Sequence, residues 1–250
     1  MVGWLVGWLV GWLVDVIVID YSARRVLIFD RTNDTYQQHI ETVVGQAAGH
    51  AGPGLDPVDE TSFVLQQAAA EGREVRIRIV AFVKLSQLPE AGAVLSAHRA
   101  VAGEKLVGVR MILNHAAGGR APGTEEEDDS LTWPQVERGD FLTGGVPAFA
   151  EGFALLAKHG GGLSFDLQCN WFQLADAAAF LRGFPETVVV LDHLGCLKLT
   201  GADEAEDAAR IAEWRRGMGA LAALPHINVK LSMLECVVQW TGLVVWWCAL

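Results

Sequence analysis

The sequence lacks several patterns that would assign it to a class of protein. Its 250 residues carry 19 basic and 30 acidic side chains, a formal net charge of −11, and contain no cluster of lysine and arginine. Nucleic-acid binding depends on such clusters, so we expect no nucleic-acid partner. The four cysteines form no CxxC pair and have no zinc-finger spacing to histidine. This argues against a disulfide framework or a structural zinc site and favours a reducing, cytoplasmic compartment.

A long hydrophobic run is also missing. The apolar stretch at residues 1–14 is shorter than the roughly 20 residues that a membrane-spanning helix needs. It has neither the basic leader nor the small-residue cleavage site of a signal peptide. The stretch repeats Val-Gly-Trp-Leu, which on a helix would form a stripe of tryptophans. Two interpretations stay open, a low-complexity tract such as a mistranslated end and a membrane anchor.

Strand-like and helix-like segments alternate along the rest of the chain. Helical patterns begin near Pro57, Pro89, Pro147, Leu174 and Asp203. The predicted strands are 26–29, 42–47, 75–83, 106–113, 163–168, 188–193 and 227–232. This alternation predicts an α/β protein with a parallel sheet and helical crossovers. The length suits one (β/α)8 barrel.

Polar side chains gather at the C-terminal ends of the predicted strands. The central stretch is TVVVLDHLGCL, in which a buried strand runs into Asp192-His193. The carboxyl ends of parallel strands meet at one edge of the sheet, where ligands bind. Imidazole and carboxylate groups there can hold a divalent metal, or can polarise a carbonyl and position water without one. The candidates of this kind are Arg110, Asn114, His115, Asp166, Gln168, His193 and Lys230.

Three of these side chains also have a structural interpretation. His193 can be a core histidine bonded to backbone, and Arg110 can pair with an acid across the barrel. Lys230 can extend from its strand end to solvent. Asp166 is harder to explain in this way, because a buried unpaired carboxylate is costly.

Four further features are interpreted as structural. His98 lies on a predicted helix, and His159 lies at a helix C-terminus, where its positive charge suits the helix dipole. The acidic run at residues 125–129 lies in a long loop and is typical of a solvated face. The glycines at 160–162 are not part of a GxGxxG motif, so we expect a turn rather than a phosphate site.

A set of motifs in a fixed order carries a family resemblance. The motifs are ETVVGQA, DPVDETSFVLQQAAAEG, LVGVRMILNH, GFALLAKHG with LSFDLQ, LADAAAFLRGFPET, VVVLDHLG and INVKLS. Together they resemble the amidohydrolase-related TIM-barrel hydrolases of the fuconolactonase and 2-pyrone-4,6-dicarboxylate lactonase type, over residues 41–232. The resemblance implies a (β/α)8 barrel that hydrolyses a small-molecule lactone or related carboxylic ester. It also implies one divalent metal ion, zinc or manganese, in some members and none in others.

The resemblance implies roles for single residues. His193 matches the strand-six histidine that contacts metal or substrate, and Arg110 matches the strand-four arginine, which would hold a substrate carboxylate or oxyanion. Asp166 and Gln168 match strand-five positions that line the pocket. The predicted catalytic residues are therefore His193 and Asp166, and His193 is also the predicted metal ligand. The predicted substrate-binding residues are Arg110, Gln168, Asn114, His115 and Lys230.

Two motifs of that family are missing near the ends of the sequence. The family's first strand carries an Asp-x-His-x-His motif, whereas no histidine precedes His39 here. Its eighth strand carries an aspartate that acts as the base toward water, whereas residues 236–250 contain no acid. We therefore expect a barrel incomplete at strands 1 and 8, with an apolar tract at 1–19, a barrel domain at 20–235 and an apolar tail at 236–250.

Two other functions remain open from the sequence. A catalytically inactive remnant would bind a small molecule or a partner, because the His-x-His and terminal Asp motifs are missing. A membrane-associated protein would be held by its two ends, which contain six of the nine tryptophans. The sequence predicts neither the substrate nor the oligomeric state.

Overall fold

Eight strands form a closed barrel in the computed structural model of the chain. The structure describes residues 15–20, 25–30, 37–43, 57–70, 77–114, 140–199, 201 and 203–231. The strands are β1 (Asp15–Asp20), β2 (Arg25–Asp30), β3 (Gln37–Val43), β4 (Ile77–Phe82), β5 (Leu106–Ile112), β6 (Ser164–Gln168), β7 (Val189–Leu191) and β8 (Ile227–Leu231). Each strand pairs with the next, and β1 pairs with β8 to close the ring.

Helices connect the strands from β3 onward. They are α1 (Pro57–Ala70), α2 (Glu90–Ala102), α3 (Pro147–Lys158), α4 (Leu174–Leu181) and α5 (Glu204–Ala222). Strands β3 to β8 are parallel to one another. Parallel strands need a long crossover, and a helix supplies it in each of these connections. The predicted α/β class and (β/α)8 type are confirmed.

The barrel departs from a complete (β/α)8 arrangement in its first three strands. β1, β2 and β3 are antiparallel neighbours joined by the short segments 21–24 and 31–36. β1 is parallel to β8, so a hairpin fills the gap expected from the missing strands 1 and 8. An open barrel would expose two unpaired edges, and the hairpin covers both.

Two predicted boundaries differ from the observed ones. The strand predicted at 42–47 is found at Gln37–Val43, and its first half is polar, so hydrophobicity alone did not reveal it. The first strand begins at Asp15, inside the tract predicted to precede the barrel.

Several predictions fall outside the described residues. These include the tryptophan repeats before residue 15, the acidic loop at 125–129 and the tail at 236–250. Within the described ranges, none of the helices combines the length and the apolar composition needed to cross a bilayer.

The main hydrophobic core lies between the strands and the helices. Its centre is an aromatic cluster from α3, α4 and β6. The ring centroid of Phe153 lies 5.0 Å from that of Phe165, 5.3 Å from Phe180 and 4.9 Å from Phe184. Such tilted and edge-on pairs add to the stabilisation that burial alone gives. The cluster fixes α3 and α4 against β6.

The structural role predicted for His98 is confirmed. Its Nδ1 lies 2.9 Å from Thr61 Oγ1, and its Nε2 lies 3.2 Å from the carbonyl oxygen of Phe82. A carbonyl oxygen only accepts, so Nε2 carries the proton and Nδ1 accepts from the threonine hydroxyl. The buried imidazole thereby joins α1, α2 and β4.

Two helical glycines make a matched test of how closely α3 packs against the segment that follows β4. A Cβ atom on Gly152 of α3 would lie 1.9 Å from the backbone oxygen of Leu85, whereas one on Gly219 of α5 would meet no atom within 4 Å. We expect Gly152→Ala to lower the free energy of unfolding by about 1–3 kcal/mol through overpacking. Gly219→Ala should raise it by about 0.4–1 kcal/mol, because alanine restricts the unfolded chain. Urea unfolding measures both values, and effects of equal sign would contradict the packing described for α3.

Candidate active site

Four charged side chains are buried inside the barrel, near the C-terminal ends of β5 to β8. They are Arg110, Asp166, Asp192 and Lys230, hereafter the charge quartet, and each is at most 7% exposed. Their neighbours in sequence on these strands, such as Val109 and Val229, belong to the helix-facing core. Because successive side chains of a strand point to opposite faces, the quartet faces the barrel interior.

Ion pairs join the charge quartet into a chain. Lys230 Nζ donates to Asp166 Oδ2 and lies 3.2 Å from Asp192 Oδ1. Arg110 Nε lies 3.2 Å from Asp192 Oδ2. Asp192 thus lies between two cations, and Lys230 lies between two carboxylates. Two positive and two negative groups balance, which limits the cost of burying them.

The pKa of Asp192 reflects this arrangement. Burial raises the pKa of its carboxyl, but the positive charges around it, chiefly those of Arg110 and Lys230, lower it by more than burial raises it, and the net pKa lies below the ordinary value. The carboxylate is therefore ionised at neutral pH. A carboxylate held by two cations is a poor base toward water, because its pKa lies far from the operating pH.

Two further polar side chains, Gln168 and His193, converge on Arg110 at the mouth of the barrel. Arg110 Nη2 donates to Gln168 Oε1 and lies 3.4 Å from His193 Nε2. A guanidinium group only donates, so the amide oxygen and the imidazole nitrogen face it as acceptors. The structure therefore brings together Arg110, Gln168 and His193, from three different strand ends, as the sequence predicted.

His193 lies in a tight turn, Asp192–Gly195, directly after β7. The φ angles of His193 and Leu194 are both 54°, and that of Cys196 is 51°. Non-glycine residues in this left-handed region cost roughly 1–2 kcal/mol each, so neighbouring contacts must hold the turn. One of them comes from α5, where Trp214 Nε1 donates to the carbonyl oxygen of Leu194 at 2.7 Å.

Asn114 lies beside this arrangement, in an amide network of its own. Its Nδ2 donates to Asn170 Oδ1 at 2.6 Å. Gln173 Nε2 donates to the carbonyl oxygen of Leu113, and Gln173 Oε1 accepts from the backbone N–H of Asn170, both at 3.0 Å. The network ties the end of β5 to the turn after β6. A substrate-binding role for Asn114 stays a prediction, and His115 lies outside the described residues.

Asp192 is the site residue that the sequence reasoning missed. The sequence places the pair Asp192-His193 at the end of a strand, but the family resemblance implies a role only for His193. The signal was the alternation along the strand, which puts Asp192 on the inward face with Val190. The structural interpretation of Arg110, in which it pairs with an acid across the barrel, agrees with its contact with Asp192. The structural interpretation of Lys230, in which it extends to solvent, is wrong, because its side chain is 1% exposed and bridges two carboxylates.

The donors at the mouth do not fit a divalent metal as they are arranged. Within the described part of the chain, no three His, Cys, Asp or Glu side chains form a cluster that could hold an ion. The carboxylates of Asp166 and Asp192 already face ammonium or guanidinium groups. A metal ion would add positive charge beside Arg110 and Lys230, which repel it.

Asp192→Asn tests the electrostatics of the quartet. At neutral pH we expect it to lower the free energy of unfolding by about 3–5 kcal/mol, because two buried cations lose a shared carboxylate. The folded-state pKa of Asp192 is lowered, so the wild-type advantage is complete above the unfolded carboxyl pKa of about 4 and declines below it. Urea unfolding between about pH 7 and pH 3 should show that the difference in the free energy of unfolding between wild type and variant becomes smaller toward acid pH. A difference that stays constant with pH would contradict the lowered pKa of Asp192.

Cys169, just after β6, gives a second test. Burial raises the pKa of its thiol well above the ordinary value, and Cys196, Asp192 and Asp176 raise it further. Because the thiolate is the nucleophile, we expect iodoacetamide to leave Cys169 unlabelled in the native protein and to label it in urea. Peptide mapping by mass spectrometry follows this cysteine separately from the other three. Equal labelling in both states would show that the thiol is accessible.

Comparison with known proteins identifies relatives of this chain. The family model described as amidohydrolase matches residues 25–247. The uncharacterized protein y4mH of Sinorhizobium fredii is 28% identical over 221 residues, which cover 86% of this chain and 63% of that protein. L-fucono-1,5-lactonase of Burkholderia multivorans is 31% identical over 182 residues, which cover 73% of this chain and 51% of that enzyme.

Crystal structures of an amidohydrolase from Burkholderia multivorans share the fold. The form with bound HEPES has a TM-score of 0.51 at 28% identity and covers 73% of this chain and 53% of that one. The form with bound zinc has a TM-score of 0.50 at 27% identity and covers 73% and 52%. This chain thus spans between 51% and 63% of the length of its curated relatives. Since the family match extends over most of its residues, the chain belongs to the amidohydrolase family.

Proposed function

We propose that the chain belongs to a hydrolase that adds water to the carbonyl carbon of a lactone or related carboxylic ester. The observation that carries this proposal is the convergence of Arg110, Gln168 and His193 at the barrel mouth. Two further findings support it, the membership of the amidohydrolase family and the likeness to a relative named L-fucono-1,5-lactonase.

Arg110 is the proposed binding group for negative charge. Its Nε faces Asp192, and its Nη2 faces Gln168 and His193, which fixes the guanidinium plane. The N–H groups of Nη1 then supply further donors. Such a preorganised cation can stabilise the oxyanion that develops when water attacks, or hold a carboxylate of the substrate.

His193 is the proposed proton carrier. Its Nε2 would take a proton from water while the water oxygen bonds to the carbonyl carbon. That proton would pass to the ring oxygen when the carbon–oxygen bond of the lactone breaks, so that a hydroxy acid leaves. Asp166 does not contact the reacting atoms in this proposal. It accepts a hydrogen bond from Lys230 and so helps to hold the other charged side chains in place.

A second candidate function is binding without turnover. It is favoured by the engagement of both mouth carboxylates with cations. Arg110 and Gln168 would then bind an acidic small molecule, and water would not be activated.

The proposal is tested by adding L-fucono-1,5-lactone and related sugar lactones to the protein and measuring the acid that hydrolysis releases. We expect His193→Ala to lower kcat by about 100-fold or more, because a general base contributes at least that much. Arg110→Lys keeps the charge beside Asp192 but loses the planar fork, so kcat/KM should fall by about tenfold or more. Arg216→Gln, at an exposed position on α5, is the matched control, and its kcat and kcat/KM should equal those of the wild type.

The outcomes separate the two candidates. Hydrolysis that survives His193→Ala would overturn the role given to this histidine. An absence of hydrolysis, together with a lactone-dependent rise in Tm that Arg110→Lys abolishes, would favour binding. Unfolding curves of each variant show whether the fold is intact, so a loss of activity can be attributed to the site.

A further inference from the structure

Lys230 bridges the two buried carboxylates of the barrel. We propose that its ammonium group is the resident cation of this site and takes the position between Asp166 and Asp192 that a zinc or manganese ion would need. The quartet of the wild-type chain therefore binds neither ion. This inference goes beyond the proposed function and holds whether or not the chain hydrolyses a lactone.

The charge balance is the first argument. The quartet is neutral with Arg110 and Lys230 in place, so a divalent ion would leave a net charge of about +2 in a buried volume, at a large desolvation cost. Zinc and manganese bind carboxylates through oxygen lone pairs. In this site both oxygens of Asp192 face nitrogen cations at 3.2 Å, and an oxygen of Asp166 accepts from Lys230.

The position of Lys230 on its strand is the second argument. The side chain is 1% exposed, and its strand neighbour Val229 is packed in the helix-facing core. β8 lies between β7 and β1, and Lys230 is opposite Ile17 in the register. Alternation along the strand fixes the lysine inward. The ammonium cannot make room for an ion by moving to solvent, so a metal would have to displace it against both carboxylates.

Removing the ammonium group of Lys230 gives the sharper test. Lys230→Met keeps an unbranched apolar stem of similar length and removes only the charge. Asp166 and Asp192 would then be two carboxylates without their shared cation. Carboxylate oxygens bind zinc and manganese, so the variant should gain affinity for an ion at the position that the ammonium leaves.

The experiment compares four proteins for metal binding. They are the wild type, Lys230→Met, the double variant Lys230→Met/Asp166→Asn, and Lys158→Met, an exposed lysine at the end of α3 that serves as control. Each is stripped with EDTA and dialysed against zinc or manganese chloride. Elemental analysis gives the metal per chain, and Tm with and without metal reports binding to the folded state.

We expect Lys230→Met to retain about one zinc per chain and the wild type to retain none at the quartet, because only the variant lacks the competing ammonium. Its Tm should rise with zinc, and the double variant and the control should behave like the wild type. One zinc per wild-type chain, lost in Asp166→Asn or Asp192→Asn, would overturn the proposal. If zinc stays bound in both Asp166→Asn and Asp192→Asn, it is bound outside the quartet, and this result agrees with the proposal.

Lys230→Met has a defined readout even if it folds poorly without metal. In that case, the yield of folded protein is measured after refolding with zinc and with EDTA. Recovery that depends on zinc supports the proposal, because the ion replaces the missing ammonium. Failure to fold in both conditions, while the double variant folds, would show that two carboxylates alone do not hold the ion and would overturn it.

Discussion

The mutual neutralisation of four buried charges is the interaction on which the rest of the site depends. Each member of the quartet would be costly to bury alone, and each is stabilised by a partner on another strand. The ion pairs therefore link β5, β6, β8 and the end of β7 through their side chains as well as their backbones. They also engage the carboxylates of Asp166 and Asp192, so that both acids of the site are held by cations.

The same strands build both the core and the site because side chains alternate along them. On β6, Phe165 and Leu167 pack in the helix-facing core, whereas Asp166 and Gln168 face the interior. The aromatic cluster around Phe153 fixes β6 against α3 and α4, which in turn fixes the inward residues. A stable outer layer therefore determines the geometry of a polar inner one.

Sequence reasoning could find elements whose signal is local. β5 to β8 were predicted because each is an apolar run, and most of these runs end in a polar residue. The pairing of β1 with β8 was not predictable, since it depends on which distant edge needs a partner. The contact of Lys230 with Asp166 joins residues 64 positions apart and follows from register, which no local pattern contains. Asp192 was missed because the histidine beside it is the more familiar catalytic residue.

The left-handed turn after β7 links the outer surface of the barrel to its mouth. The turn carries His193, and Trp214 of α5 holds it from the outside through the carbonyl oxygen of Leu194. A small change in how α5 packs would therefore tilt the imidazole without altering any side chain that faces a ligand. In this barrel, the orientation of the histidine can be tuned in evolution by substitutions on α5, which acts on the turn through Trp214.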